Sequence, residues 1–226
     1  MTKAQLYCFV EKIRQLFEIS SQCYPLSIFD ICEATDNIQI QQIPFKTKGL
    51  RGMVCIANKS DENHVILLNE NKTEAENNYH GTHEFMHIFT ADDNAGKIIR
   101  CFDIVKPNQN AYTEWLANEG AAELLVPYRI FLPLVRENYE SMLQDSGTYK
   151  FCQEYADHFN VSPVVLEHRL RSLKYEIYQY INGVNIDNIG IISKHEQDLR
   201  NIQVKSLIEM EDERFLSRFN NRIAAV

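Results

Sequence analysis

Apolar residues recur every three or four positions over residues 4–19, where Leu6, Phe9, Val10, Ile13, Leu16 and Phe17 share one face, so the spacing predicts an amphipathic packing helix. Pro25 opens a second short helical stretch to residue 32. The period then changes. Ile38, Ile40 and Ile43 come close to alternation and predict a half-buried strand ending at Pro44. Further strands are predicted over 50–57 and 64–68, and the polar run 58–63 between them predicts a hairpin. Beyond residue 73 the pattern is helical: 73–90, 112–126 halted by Pro127, 131–142, 148–159, 163–180 and 204–222. Residues 92–110 read as an irregular connection, and Asn182, Gly183, Asn185, Asp187, Asn188 and Gly190 mark a loop-rich break. The expected fold is α+β and mainly helical, with a small, mostly antiparallel sheet preceding the 73–90 helix. A core over 1–130 is expected to be followed by a helical region over 131–226.

Composition narrows the function classes. The chain has 226 residues, 45% of them apolar, enough to bury a core. Acidic side chains outnumber basic ones, 31 to 23, and the net charge of −8 opposes a broad phosphate-binding surface. No apolar run is long enough to span a bilayer, and Lys3, Glu11, Lys12, Arg14 and Glu18 interrupt the first twenty residues, which lack a signal-peptide block. The six cysteines are scattered without a CxxC pair, as expected of reduced thiols in a cytoplasmic protein.

The chemistry is concentrated in His83-Glu84-Phe85-Met86-His87, an HExxH sequence. Histidines four apart on a helix are offset by only about 40°, so both imidazoles can share one ion, while Glu84 points about 100° from His83 and can reach a water on that ion. Phe85, Ile88 and Phe89 form a separate apolar stripe for anchoring. His80, one turn earlier, leaves open the plainer reading of a merely His-rich segment. A catalytic zinc site usually has three protein ligands and one open position. Residues 88–97 hold no histidine, so the third ligand is expected to be a carboxylate from the next helix. There Ala117, Gly120, Ala121 and Leu124 form a stripe of small and apolar residues, and Glu114 lies on it, whereas Glu119 and Glu123 are turned by about 200° and 240° and are expected to face water. Glu114 is the expected ligand; a solvated glutamate favoured by the helix dipole is its ordinary alternative. Asn118, one turn later, is a candidate to orient a ligating imidazole, with a plain helix-surface asparagine as the alternative.

These residues resemble the ImmA/IrrE family of zinc metallo-endopeptidases, in which an HExxH helix is followed by a run like ExxANxxAAxLLxP. Here that run is Glu114-Trp115-Leu116-Ala117-Asn118 through Ala121-Ala122 to Leu124-Leu125-Val126-Pro127. The similarity takes in the preceding strands and extends over roughly residues 24–175. It implies a gluzincin-like site with His83, His87 and Glu114 as ligands of Zn²⁺ and Glu84 as the catalytic carboxylate; imidazole and carboxylate also accept Mn, Fe or Co. Two features depart from the family pattern. Phe85-Met86 stands where a Leu-Gly-like pair is usual, and Gly120 where an aromatic is common. The oxyanion donor is left open among His158, His168, Tyr112 and Arg169, and a strand edge, with 50–57 as the candidate, is expected to hold an extended peptide by main-chain pairing.

Residues 155–170 resemble the helix-turn-helix-like piece that follows the peptidase core, within a segment of about 150–175. Its charges balance: Lys150, Arg169, Arg171 and Lys174 against Glu154, Asp157, Glu167 and Glu176. DNA is therefore not the expected partner. The 204–222 helix is expected to pack on the core, with a partner-binding or dimer helix as the alternative, and the oligomeric state is left open. The expected function is a zinc-dependent endopeptidase in the cytoplasm, acting on a protein. By resemblance, that protein is a transcriptional repressor of a mobile element or phage. The rival readings are a metal-binding regulatory or adaptor protein with little or no hydrolysis, and a plain DNA-binding domain.

Overall fold

The computed structural model describes residues 1–20, 24–59, 61–90, 96–102 and 109–224, with side chains as far as residue 217. The chain divides into two compact units. One comprises Phe9–Leu125 with Phe159–Ser162, and the other Met1–Cys8, Val126–His158 and Pro163–Val226. Among the described residues no helix is long and apolar enough to cross a membrane.

The first unit is α+β. After α1 (Lys3–Leu16), most of which lies in it, come α2 (Ile28–Glu33) and three strands, β1 (Ile38–Ile43), β2 (Leu50–Cys55) and β3 (His64–Asn69). The long helix α3 (Glu74–Thr90) follows, then β4 (Ile98–Phe102) and α4 (Ala111–Leu125). Helix α2 starts later than its proline suggested, because the Ser27 side chain caps the backbone N–H of Asp30. The strands form one mixed sheet in the order β1-β3-β2-β4. β2 and β3 make the expected antiparallel hairpin, but β3 inserts between β2 and β1 and pairs with β1 in parallel. Alternation fixes which face of a strand is buried and says nothing of its neighbours, so this order was not readable from the pattern.

Two expectations are corrected here. The connection over 92–110 is not wholly irregular: its residues 98–102 form β4, antiparallel to β2, so the sheet is completed after α3 rather than before it. The strand β2 is consequently interior, and the 50–57 segment offers no free edge; β1 and β4 are the outer strands.

The helix α3 starts in a capping box. Glu76 N–H donates to Thr73 Oγ1 (3.2 Å), and Thr73 N–H donates to Glu76 Oε2 (3.0 Å). Its middle is buried nearly all round, from Asn77 to His87. Buried amides tie it to its surroundings: Asn78 donates to Leu26 O (2.9 Å) and Asn160 O (2.8 Å), and its Oδ1 accepts from Ile28 N (2.7 Å). Gly81 lets the sheet approach, since a Cβ there would stand 2.9 Å from Ile28 Cγ2 and 3.2 Å from Leu68 Cδ1. Towards its C-terminus, Phe85 and Phe89 pack edge-on against Phe17.

Helix α4 is also buried on more than the stripe facing α3. Contrary to expectation, Glu119 and Glu123 are only 8% and 6% exposed. Arg14 of α1 donates to the Leu124 carbonyl (3.0 Å) and stacks over Tyr24, so a second face of α4 is covered by elements distant in sequence.

The second unit is helical: α5 (Tyr128–Met142), α6 (Gly147–Tyr155), α7 (Pro163–Ser172), α8 (Lys174–Ile181), α9 (Lys194–Leu199) and α10 (Leu207–Ala224). The predicted helix over 163–180 breaks at Leu173, and that over 148–159 ends in a 3₁₀ turn, Asp157–Phe159; α9, opened by a capping box at Ser193, was not anticipated. Two buried cations in this unit are hydrogen-bonded within it. Lys3 Nζ donates to Glu176 Oε1 (2.9 Å) and Ser172 O (2.6 Å), and Arg169 donates to Val126 O (2.9 Å) and Tyr7 Oη (2.7 Å).

The N-terminus of α6 is satisfied from far along the chain. Its N-cap, Ser146, is left-handed and makes no side-chain cap. The Glu211 carboxylate of α10 instead accepts from Gly147 N (2.7 Å), Thr148 N (3.3 Å) and the Thr148 hydroxyl. This is how the C-terminal helix packs, with Leu207 buried while Phe215 and Leu216 stay exposed. Replacing Glu211 by Ala is expected to cost about 1–3 kcal/mol by orphaning these buried donors, which a urea titration read by circular dichroism would register.

Candidate active site

The HExxH segment lies in the fully buried part of α3, facing α4 on one side and the sheet on another. The Nε2 atoms of His83 and His87 are 3.0 Å apart. Glu114, on the first turn of α4, closes a triangle with them: its Oε2 is 3.4 Å from His83 Nε2 and its Oε1 is 3.7 Å from His87 Nε2. The structure thus brings together the three side chains expected to be ligands. Donors bound tetrahedrally at zinc distances stand about 3.3–3.5 Å from one another, so this donor set fits a single small divalent cation.

The groups around the triangle fix its protonation. Asn118 Oδ1 lies 3.0 Å from His83 Nδ1. An amide oxygen can only accept, so Nδ1 carries a proton and Nε2 is the ring nitrogen turned to the cluster. Burial, and then the neighbouring His83, push the His87 pKa down to about 3, so that imidazole is neutral. Burial acts to raise the Glu114 pKa, but hydrogen bonding to His83, the polarity of the two rings beside it and the Gln109 amide outweigh it and hold the carboxyl below its ordinary value. Two neutral imidazoles and one carboxylate are what a divalent ion of borderline softness needs.

Glu84 is in a different situation. It is fully buried, and neither carboxylate oxygen has a hydrogen-bond partner among the described residues. Burial, reinforced by the charge of Glu114, raises its pKa well above the ordinary carboxylate range. Its space is made by Gly52 of β2, where a Cβ would lie 3.1 Å from Glu84 Oε1.

Sequence reasoning missed three participants. Gly52 allows the carboxylate to sit against the sheet, and a glycine among the inward positions Leu50, Gly52 and Val54 was a usable signal of close backbone approach. Gln109 donates to Glu114 Oε1 (3.1 Å) and to the Arg100 carbonyl of β4 (2.9 Å), linking the carboxylate to the sheet. Cys101 of β4 lies near His83 and Glu84. No pattern in the sequence marked the last two. Of the four oxyanion candidates, Arg169 is corrected: its buried guanidinium is committed to Val126 and Tyr7. Tyr112, which belongs to the same unit as the site, is 47% exposed and stacks on Trp115. His158 and His168 are exposed residues of the helical unit. The thiols of Cys32 and Cys152 are raised to about 12 by burial; among the described residues the cysteines are reduced, and Cys23 lies outside these residues.

A family profile described as the IrrE N-terminal-like domain, peptidase M78, matches residues 34–171. The chain belongs to this family, which is of metallopeptidase type. The matched span takes in the whole sheet, α3, α4 and the helices as far as α7. A search of curated proteins gives no match.

Proposed function

We propose that the protein is a zinc-dependent endopeptidase whose metal is held by His83, His87 and Glu114 and whose general base is Glu84. The observation that carries this reading is the convergence of three donor groups, with contacts of 3.0–3.7 Å, beside a fully buried carboxylate that has no hydrogen-bond partner among the described residues. A bound divalent ion supplies Lewis acidity there, polarising a scissile carbonyl and lowering the pKa of water towards about 7. Glu84 takes a proton from the attacking water and delivers it to the leaving amine; a carboxyl that resists ionisation is suited to both halves of that transfer. Asn118 holds the His83 ring in the tautomer that offers Nε2, and Gln109 holds Glu114 against β4.

The substrate is a protein segment that enters extended. The outer strand β4, which is tied through Gln109 to Glu114, is the strand suited to pair with it, in place of β2. Family membership favours a transcriptional repressor of a mobile element or phage as that protein. DNA is not the partner: with Arg169 and Glu176 buried, the 150–176 segment offers Lys150, Arg171 and Lys174 against Glu154, Asp157 and Glu167, still a zero balance. The cytoplasm is the compartment in which such a repressor would be met.

Metal analysis of the purified chain tests the reading. Wild type should carry zinc stoichiometrically, and Glu114→Ala or His87→Ala should lose it. Chelation should stop cleavage of the repressor encoded nearest to the protein, and added Zn²⁺ should restore it. A wild-type chain that binds no divalent metal would overturn the proposal. Asn118→Ala is expected to weaken zinc affinity by about 10–100-fold, measured by competition with a chromophoric chelator, because the imidazole loses its orienting acceptor.

A further inference from the structure

The helical unit carries an open cavity of about 350 Å³ lined by parts of α6, α7 and α10, which the peptidase chemistry does not use. Ile208, Asp212 and Phe215, spaced four and three apart, bring one face of α10 to it. Its walls are apolar and accessible: Tyr149 of α6 is 57% exposed, Phe215 is 52% exposed and Ile208 is half-buried. Its charges are all of one sign. Glu211 is spent on the N–H groups of Gly147 and Thr148, which leaves the carboxylates of Asp145, Glu167 and Asp212, and no basic side chain lines the cavity. Hydrogen bonds from Ser206, with the charges of Lys174 and Arg171, hold the Glu209 carboxyl below its ordinary value, so those cations act on a carboxylate outside the cavity. Glu167 comes from α7, the helix that a helix-turn-helix would turn towards DNA, and a carboxylate there repels phosphate.

We propose that this cavity is a docking groove for a basic amphipathic helix of a protein partner, its apolar side chains seated between Tyr149, Ile208 and Phe215 and its Lys or Arg side chains on Asp145, Glu167 and Asp212. The occupant follows from complementarity. A volume at the low end of binding pockets, which span about 300–1,000 Å³, takes side chains rather than a large cofactor. The aromatic walls accept apolar groups and the stems of Lys and Arg, and their ring faces attract a cation. Proteins that read DNA carry such basic helices, because they must neutralise phosphates. The substrate proposed above is of that class. That the partner is the substrate rests on the proposed function, whereas the groove itself does not.

Fluorescence anisotropy on the full-length chain tests the groove. The probe is a labelled helical peptide of about four turns, with leucines along one face and arginines flanking them; one control replaces Arg by Glu and another replaces Leu by Ser. The Leu/Arg peptide should bind wild type saturably and about 10-fold or more tighter than either control. Asp212→Asn combined with Glu167→Gln, and separately Phe215→Ser, should each weaken it about 5–10-fold. Glu137→Gln combined with Glu140→Gln removes the same charge from exposed positions of α5 and should leave binding unchanged. All these side chains are exposed or half-buried, so folding is retained, which circular dichroism verifies. No saturable binding, equal binding of the serine control, or groove variants that bind as wild type does each overturn the proposal. Equal weakening by the α5 pair also overturns it, as general attraction to an acidic protein. Zinc content of the same preparations separates the two readings: a wild-type chain that takes up the peptide but no metal overturns the metal site and leaves the groove standing.

Discussion

Glu84→Gln is expected to lower cleavage of the protein substrate by about 10²–10⁴-fold, the contribution of a positioned acid–base group, while leaving metal content unchanged. The amide nearly matches the carboxylate in size, so it fits the space that Gly52 leaves, but it cannot accept the proton of water. Folding should not suffer, because the variant replaces a group whose charged form is penalised by complete burial with a neutral one. The measurement is cleavage rate by mass spectrometry alongside metal content by atomic absorption. Retained activity with bound metal would assign the proton transfer elsewhere. A biological effect unchanged in Glu84→Gln would favour the regulatory reading, in which the protein acts by binding alone.

The second large effect concerns the two departures from the family pattern. Gly120→Phe is expected to destabilise the fold by about 3 kcal/mol or more, and Met86→Gly in the same chain to restore much of that loss. A Cβ at residue 120 would stand 2.6 Å from Met86 Cε and 3.4 Å from its Cγ and Sδ, so the methionine occupies the volume an aromatic at 120 would need. The two departures are halves of one packing exchange across the α3–α4 interface, where the larger side chain comes from α3. Met86→Gly alone should cost about 2–5 kcal/mol, through the cavity left by a fully buried side chain. Gly120→Ala should be close to neutral, since about 1 kcal/mol of helix propensity offsets displacement of a flexible methyl. Urea unfolding of the single and double variants closes the cycle; additive losses would show that the positions are independent. Because this interface sets the approach of Glu114 to His83 and His87, the single variants should also bind zinc more weakly than the pair.

What was legible in the sequence was local. The period of three and four gave α1, α3 and α4, alternation found β1, and β-like apolar runs either side of a polar turn found β2 and β3. Helical spacing put His83 and His87 on one face, and the small residues of α4 put Glu114 on the side that meets them, because a helix fixes relative side-chain directions without reference to anything outside it. The same reasoning failed at Glu119 and Glu123. A helical wheel places them off the stripe that faces α3, yet both are buried, because distant segments such as α1, whose Arg14 reaches the Leu124 carbonyl, cover more of α4 than periodicity encodes.

The sequence by itself determined the donor chemistry and its spacing along two helices. Tertiary structure decided how the site is enclosed: that β4 rather than β2 is an outer strand, that Gly52 leaves the space for Glu84, that Gln109 ties Glu114 to Arg100, and that Cys101 comes beside His83. The physical reason is range. Helical and strand periodicities follow from bonds and sterics within a few residues, whereas a strand's neighbour, and therefore what lies across from a catalytic side chain, depends on how distant segments share the burial of apolar surface.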